Sequence, residues 1–209
     1  LPIFAGYQNN AIKVGEEMVD EPLHFRGGLT KRSYFNKNNR ITINDKEALM
    51  HSSNVYMFKT ALKLAGDPYS SGMTLPTDIS AAGQKLRKGL NQVGLGVKTG
   101  IDLPNETAGQ TAPLTNNPGN YLDLAIGQYD TYTPIQLSQY VSTIANNGYR
   151  IQPHIGLAIH DSTNTDELGP LKKKIKGNVL NRVNNTQDQL DEVKAGFKMA
   201  FNKQDGTGY

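Results

Sequence analysis

Cysteine is missing from all 209 residues, so the chain has no disulfide framework, no thiolate metal site and no cysteine nucleophile. That absence suits the cytoplasm and equally a bacterial surface that avoids disulfides, so it leaves the compartment open. Tryptophan is missing too, apolar residues make up only 37%, and mean hydropathy is -0.52. A compact chain of this length buries roughly 70% of its extended surface. Such a composition describes a globular chain with a thin core, or a piece of something larger. No apolar run approaches the ~20 residues that cross a bilayer. Charge of one sign is scarce as well: 22 Lys and Arg against 19 Asp and Glu leave +3. A nucleic-acid partner, which calls for basic residues clustered on one face, is not expected. Leu1-Pro2-Ile3-Phe4 carries neither an initiator Met nor a signal pattern. At the other end, Asp205-Gly206-Thr207-Gly208-Tyr209 reads as a turn. Both ends look cut, as in an excised fragment.

Metal and nucleotide chemistry find little support. The four histidines, at 24, 51, 154 and 160, form no i, i+4 pair and gain no Asp or Glu at ligand spacing, so no metal and no cofactor is expected. The glycine-rich stretch 89–100 lacks the Gly-Lys junction of a phosphate loop, because Val97 precedes Lys98. Lys172-Lys173-Lys174-Ile175-Lys176 reads first as a solvated loop. A basic surface for an anionic polymer or lipid headgroups stays open as a second reading.

The chain does carry local helix signals. The first 40 residues read as loop and hairpin, with a short strand at Arg40-Ile41-Thr42-Ile43. Asn44 or Asp45 can cap a helix over 46–50. His51-Ser52-Ser53-Asn54 then breaks it, because small polar side chains compete for backbone hydrogen bonds. A second helix is expected over 55–65, with Val55, Phe58, Leu62 and Ala65 as its apolar stripe. Residues 78–93 also read as helix, and 94–119 as a long surface loop. Thr133 and Gln136 form a capping box for a helix over 134–146, with Leu137, Val141, Ile144 and Ala145 facing one way. Alternation over 155–160 predicts a strand. A last helix, 187–201, is capped by Thr186 and Gln189 and striped by Leu190, Val193, Phe197, Ala200 and Phe201. The fold class is α+β, rich in helix.

Ser52-Ser53-Asn54 carries the most chemistry. A hydroxyl and a carboxamide held rigidly between two helices can relay a proton and orient a carbonyl in acyl transfer. Taken as residues alone, the triplet serves as well for a helix break or cap. No Ser-x-x-Lys occurs anywhere in the chain, so no serine acquires a lysine base at that spacing.

Several segments together resemble a known family. They are His51-Ser52-Ser53-Asn54-Val55-Tyr56-Met57, Lys98-Thr99-Gly100-Ile101-Asp102-Leu103-Pro104-Asn105-Glu106, Ala125-Ile126-Gly127-Gln128, Tyr132-Thr133-Pro134-Ile135-Gln136-Leu137, Ile144-Ala145-Asn146-Asn147-Gly148 and Pro153-His154. Their order and spacing resemble the transpeptidase domain of class B penicillin-binding proteins of staphylococcal type. The resemblance covers residues 6–209 and makes 1–209 a partial domain, with 1–5 as a possible tag or junction. It implies the helical lobe of the penicillin-binding/β-lactamase-like fold, with too little of the five-stranded sheet.

The family uses Ser-x-x-Lys, Ser-x-Asn and Lys-Thr/Ser-Gly. By that pattern the first motif lies just before residue 6 and the third just after residue 209. Ser52 and Asn54 alone carry over as catalytic and substrate-binding residues, and the nucleophile is not in this chain. Lys98-Thr99-Gly100 matches the third motif in letters but not in position. The resemblance further implies a membrane-anchored parent on the outer face of the bacterial cell membrane. Its implied partners are peptidoglycan stem peptides, β-lactams, the remainder of the transpeptidase domain and the division or elongation machinery. A non-catalytic interaction module derived from the same fold, or a basic wall-polymer-binding surface module resting on Lys172 to Lys176, stays open beside the enzyme.

Overall fold

The computed structural model describes residues 2–114 and 117–209. Seven helices and eight short strands are found among them. The helices are α1 (Pro2–Gln8), α2 (Asp45–Met50), α3 (Asn54–Leu64), α4 (Ser80–Gln92), α5 (Pro118–Ala125), α6 (Pro134–Ala145) and α7 (Gln187–Asn202). The strands pair antiparallel into two-stranded ribbons only. β1 (Met18–Asp20) pairs with β4 (Ile41–Ile43), and β2 (Leu23–His24) with β3 (Thr30–Lys31). β5 (Tyr149–Ile151) pairs with β8 (Val179–Arg182), and β6 (Ala158–His160) with β7 (Leu171–Lys174).

The core is helical and centred on α3. Val55, Tyr56, Met57, Phe58, Ala61, Leu62 and Leu64 are all buried, so this helix is covered on nearly every side rather than along one stripe. Around it pack α1, α4, α5 and α2, and α7 lies along α2. Two glycines permit close approach. A Cβ on Gly89 of α4 would meet Ala5 of α1 at 3.1 Å, and one on Gly196 of α7 would meet Leu49 of α2 at 2.7 Å.

The sequence-based helix positions hold to within a residue or two; two capping boxes form as the spacing predicts, at Thr133/Gln136 and Thr186/Gln189, and Asn44 caps α2 in a third box with Glu47. Elsewhere the structure corrects the expectations. The first 40 residues, expected as loop and hairpin, open with a helix. Pro2, Ile3, Phe4 and Ala5 begin α1 and are buried in the core. Helix α5 stands where the loop was expected to end, started by Asn117, whose side chain accepts from the Gly119 N–H. The strand over 155–160 shortens to β6, because the N–H groups of Ile155 and Gly156 donate to the Asp102 carboxylate at 2.7 and 2.9 Å instead of joining a ladder.

The largest correction concerns which face of α6 turns inward. Leu137 and Val141, expected in the core, are 47% and 57% exposed, while Gln136, Gln139 and Thr143 are buried. The reason is the loop beneath. Its carbonyls need donors, and Gln136 Nε2 supplies Val97 and Ala108 while Gln139 Nε2 supplies Thr99 and Ile151. On α7 the expected stripe is mostly satisfied: Leu190, Val193 and Ala200 are buried, but Phe201 remains 67% exposed.

Candidate active site

Helix α2 ends at Met50, with His51 as its C-cap, and α3 begins at Asn54, so the break expected from the polar residues is real. Ser52 sits in it with φ +53°, a left-handed conformation that non-glycine residues adopt at a cost of about 1 kcal/mol or more. Such a conformation persists only where the neighbours dictate it. Ser53 does so. Its N–H donates to the Ala48 carbonyl at 2.8 Å, and its hydroxyl accepts from the Tyr56 N–H as the N-cap of α3.

The same hydroxyl donates to Asp20 Oδ2 at 2.5 Å, from a residue that is 1% exposed. Ser33 donates to that oxygen at 2.6 Å, and Asn36 Nδ2 donates to Asp20 Oδ1 at 2.9 Å. Ser33 Oγ in turn accepts from the Val55 N–H. A buried carboxylate at the end of β1 therefore anchors both the break and the first turn of α3 through three donors. Buried charge of this kind is tolerated when it is fully hydrogen-bonded. On the opposite side, Thr207 donates through both its N–H and its hydroxyl to the Met50 carbonyl, covering a free carbonyl at the end of α2. The His51 ring stacks on Phe35, with centroids 4.8 Å apart.

The side chains of Ser52 and Asn54 are placed differently. Among the described residues, neither the Ser52 hydroxyl nor the Asn54 carboxamide takes a side-chain hydrogen bond. Ser52 is exposed and Asn54 half-buried. Both line one open cavity of about 190 Å3, walled by Pro2 of α1, Met57 of α3 and Phe197 of α7. The sequence-predicted pair is thus brought together, with its donors and acceptors free.

Lys98-Thr99-Gly100 lies elsewhere, and none of the three lines that cavity. Thr99 is fully buried. Its N–H and hydroxyl donate to Glu106 Oε1 at 2.5 and 2.6 Å, and the Gly100 N–H donates to Oε2 at 3.0 Å. Burial alone would raise the pKa of Glu106, but the donors from Thr99 and Gly100, aided by Lys98, outweigh it and hold the carboxyl below its ordinary value. The triplet closes a loop around a carboxylate. Asp20, Ser33 and Asn36 escaped the sequence reading, because no local spacing ties three residues of the first hairpins to a helix break further along.

These features fit one family. A family model described as "Penicillin binding protein transpeptidase domain" matches residues 2–209, and the chain belongs to that family. Penicillin-binding protein H of Bacillus subtilis (strain 168) is 48% identical over 198 residues, covering 94% of this chain and 27% of that protein. Penicillin-binding protein 2B of Streptococcus pneumoniae (strain R6) is 36% identical over 197 residues, 93% of this chain and 29% of that one. The solved structure of the R6 protein superposes with a TM-score of 0.93 at 34% identity, over 99% of this chain and 34% of that one. The chain therefore spans little more than a quarter of the length of these curated relatives, 27% and 29%.

Proposed function

We propose that the protein carrying this chain is a peptidoglycan D,D-transpeptidase that joins stem peptides through a serine acyl-enzyme and is acylated by β-lactams. Membership of the family supports that reading. The observation that carries it to particular residues is the pairing of Ser52 and Asn54, unpartnered, in one cavity above a buried anchor. Ser52 relays a proton between the catalytic lysine and the leaving or attacking amine. Asn54 orients that lysine and donates to the substrate amide carbonyl. Lysine and nucleophilic serine come from residues outside these 209, since no Ser-x-x-Lys is present. Ser53 holds the geometry and does not touch substrate.

The site faces the outside of the bacterial cell membrane, where stem peptides are found, and the anchor is a segment other than those described here. Among the described residues no helix is long and apolar enough to cross a membrane. The elongation or division machinery is the protein partner; one fold neighbour, PBP2 of Helicobacter pylori (25% identical, TM-score 0.71), was solved as a complex with MreC.

A fluorescent penicillin followed by a denaturing gel tests the assignment. The full-length protein takes a covalent label and the 209-residue chain alone does not. A stoichiometric covalent band on the chain alone would make Ser52 the nucleophile and overturn its role as a relay.

A further inference from the structure

Two cavities beside the β5–β8 ribbon gather unpaired positive charge, contributed by the ribbon, by α4, by β7 and by the β7–β8 connection, that the transpeptidase site does not use. At one end, an open cavity of about 390 Å3 is lined by Lys88 from α4, Arg150 from β5 and Arg182 from β8, with the Asn181 and Asn184 side chains beside them. At the other end, a cavity of about 420 Å3 is lined by Lys173, Lys174 and Lys176. Among the described residues none of these six cations belongs to an ion pair, although Lys172 next to them pairs with Asp161 at 3.6 Å. The one carboxylate at either cavity is Asp102, which accepts from the Ile155 and Gly156 N–H groups and, set against Lys173, Lys174 and Lys176, leaves the second cavity with net positive charge.

Arg150 is held firmly in the wall of the first cavity. One of its terminal nitrogens donates to the Asn91 carbonyl at 3.0 Å, yet its Nε is closed off from solvent with no acceptor in reach. Burial pulls its pKa below the ordinary value, a penalty that an anion in the cavity would offset. Arg182 lies over the Tyr149 ring, 5.3 Å from its centroid, which fixes the guanidinium at the rim. Guanidinium forks with a neighbouring ammonium suit an oxyanion such as phosphate.

The two cavities follow each other along one ladder. Arg150 faces Asn181 in register, and two residues on, the Gln152 N–H donates to the Asn178 carbonyl, where the second cavity begins. The two walls therefore adjoin along one ladder, across a register irregularity between Arg150 and Ile151. That arrangement fits a ligand with repeated charges better than a single ion. Neither cavity is lined by Phe, Tyr or Trp, so stacking platforms for nucleic-acid bases are missing.

We propose that the β5–β8 ribbon binds a linear phosphodiester polyanion without bases, with neighbouring phosphates seated in the two cavities. The test uses the full-length protein and synthetic poly(glycerol phosphate), with glycerol phosphate monomer and single-stranded DNA as comparison ligands, titrated at several salt concentrations. Affinity for the polymer falls steeply with salt, and the monomer binds about 100-fold more weakly. The pair Arg150→Gln with Arg182→Gln weakens polymer binding about tenfold, and so does Lys174→Gln with Lys176→Gln. Labelling by a fluorescent penicillin stays as in the wild type for both pairs, which separates this site from the transpeptidase reading. If labelling shows that Arg150→Gln disturbs folding, Lys88→Gln with Arg182→Gln probes the same cavity from exposed positions. The proposal is overturned if the polymer does not bind, if monomer or DNA binds as tightly, or if only one pair matters. It is equally overturned if Lys198→Gln with Lys203→Gln, placed on and beyond α7, costs as much.

Discussion

Ser52-Ser53-Asn54 and Lys98-Thr99-Gly100 are both short polar triplets whose letters belong to transpeptidase motifs, and each is organised by a carboxylate. In the first, Asp20 binds the middle residue from below and leaves the outer two facing a cavity. In the second, Glu106 takes the backbone and hydroxyl of Thr99 and the N–H of Gly100, so the hydrogen-bonding groups of the turn are consumed. The same physics, a carboxylate gathering several donors, builds a presented site in one place and a closed loop in the other. What separates them is which atoms remain unpaired. A triplet is a candidate for chemistry only when its polar heads are left over after the backbone has been satisfied.

That contrast can be broken by mutation. The largest effect is expected from Asn54→Ala in the full-length protein. Losing one well-placed donor costs on the order of 100-fold in rate, roughly 3 kcal/mol, while the melting temperature changes little because the carboxamide has no intrachain partner. Lys98→Ala leaves the second-order acylation rate near wild type. Equal slowing by the two variants would move the site to the wrong triplet.

Asp20→Ala comes next and should damage stability and acylation together. It strands the donors of Ser33, Ser53 and Asn36 in the core, each partner loss costing about 1 kcal/mol or more. Urea denaturation alongside acylation kinetics separates it from Asn54→Ala, which moves only the rate. An Asp20→Ala protein of wild-type stability would show that the anchor is dispensable.

Thr99→Val keeps the volume and removes one buried donor to Glu106, at a cost of about 1 kcal/mol in stability. Acylation should be unaffected once the protein is folded. A rate loss without a stability loss would give the second triplet a part in the site after all.

The smallest effect is a pH dependence. Because the folded protein holds Glu106 below its ordinary pKa, its contribution is present above the unfolded value of about 4.3 and is lost as pH falls through the folded value. Glu106→Gln should therefore lower the melting temperature at neutral pH, and the gap to wild type should close in acid. A gap that widened in acid would reverse the sign assigned to this carboxyl.

Much of the helical framework was legible because its signals are local. The cap at Asn44, the capping boxes at Thr133 and Thr186 and the break at Ser52 involve residues within one turn of each other. Helix α1 was not legible, since Pro2-Ile3-Phe4-Ala5-Gly6 is buried all round and shows no polar alternation. Nor was α5, whose Pro118-Gly119-Asn120 opening reads as a turn. The inverted face of α6 is the most instructive failure. Leu137 and Val141 have core periodicity, but the carbonyls of Val97, Thr99 and Ala108 required donors, and the two glutamines had to turn inward to supply them.

For the site, residue types and spacing alone determined that Ser52 and Asn54 flank a break between two helices, and that no serine here has a lysine three residues on. Capping and helix breaking act over a few residues, so sequence carries them. Only the tertiary structure decided that Asp20, Ser33 and Asn36 would hold that break, that Phe197 and Pro2 would wall its cavity, and that six cations from α4, β5, β7, β8 and the β7–β8 connection would gather at two neighbouring cavities. Those outcomes depend on pairing and burial between residues far apart in the chain, where each polar group takes whichever partner the packing brings within reach.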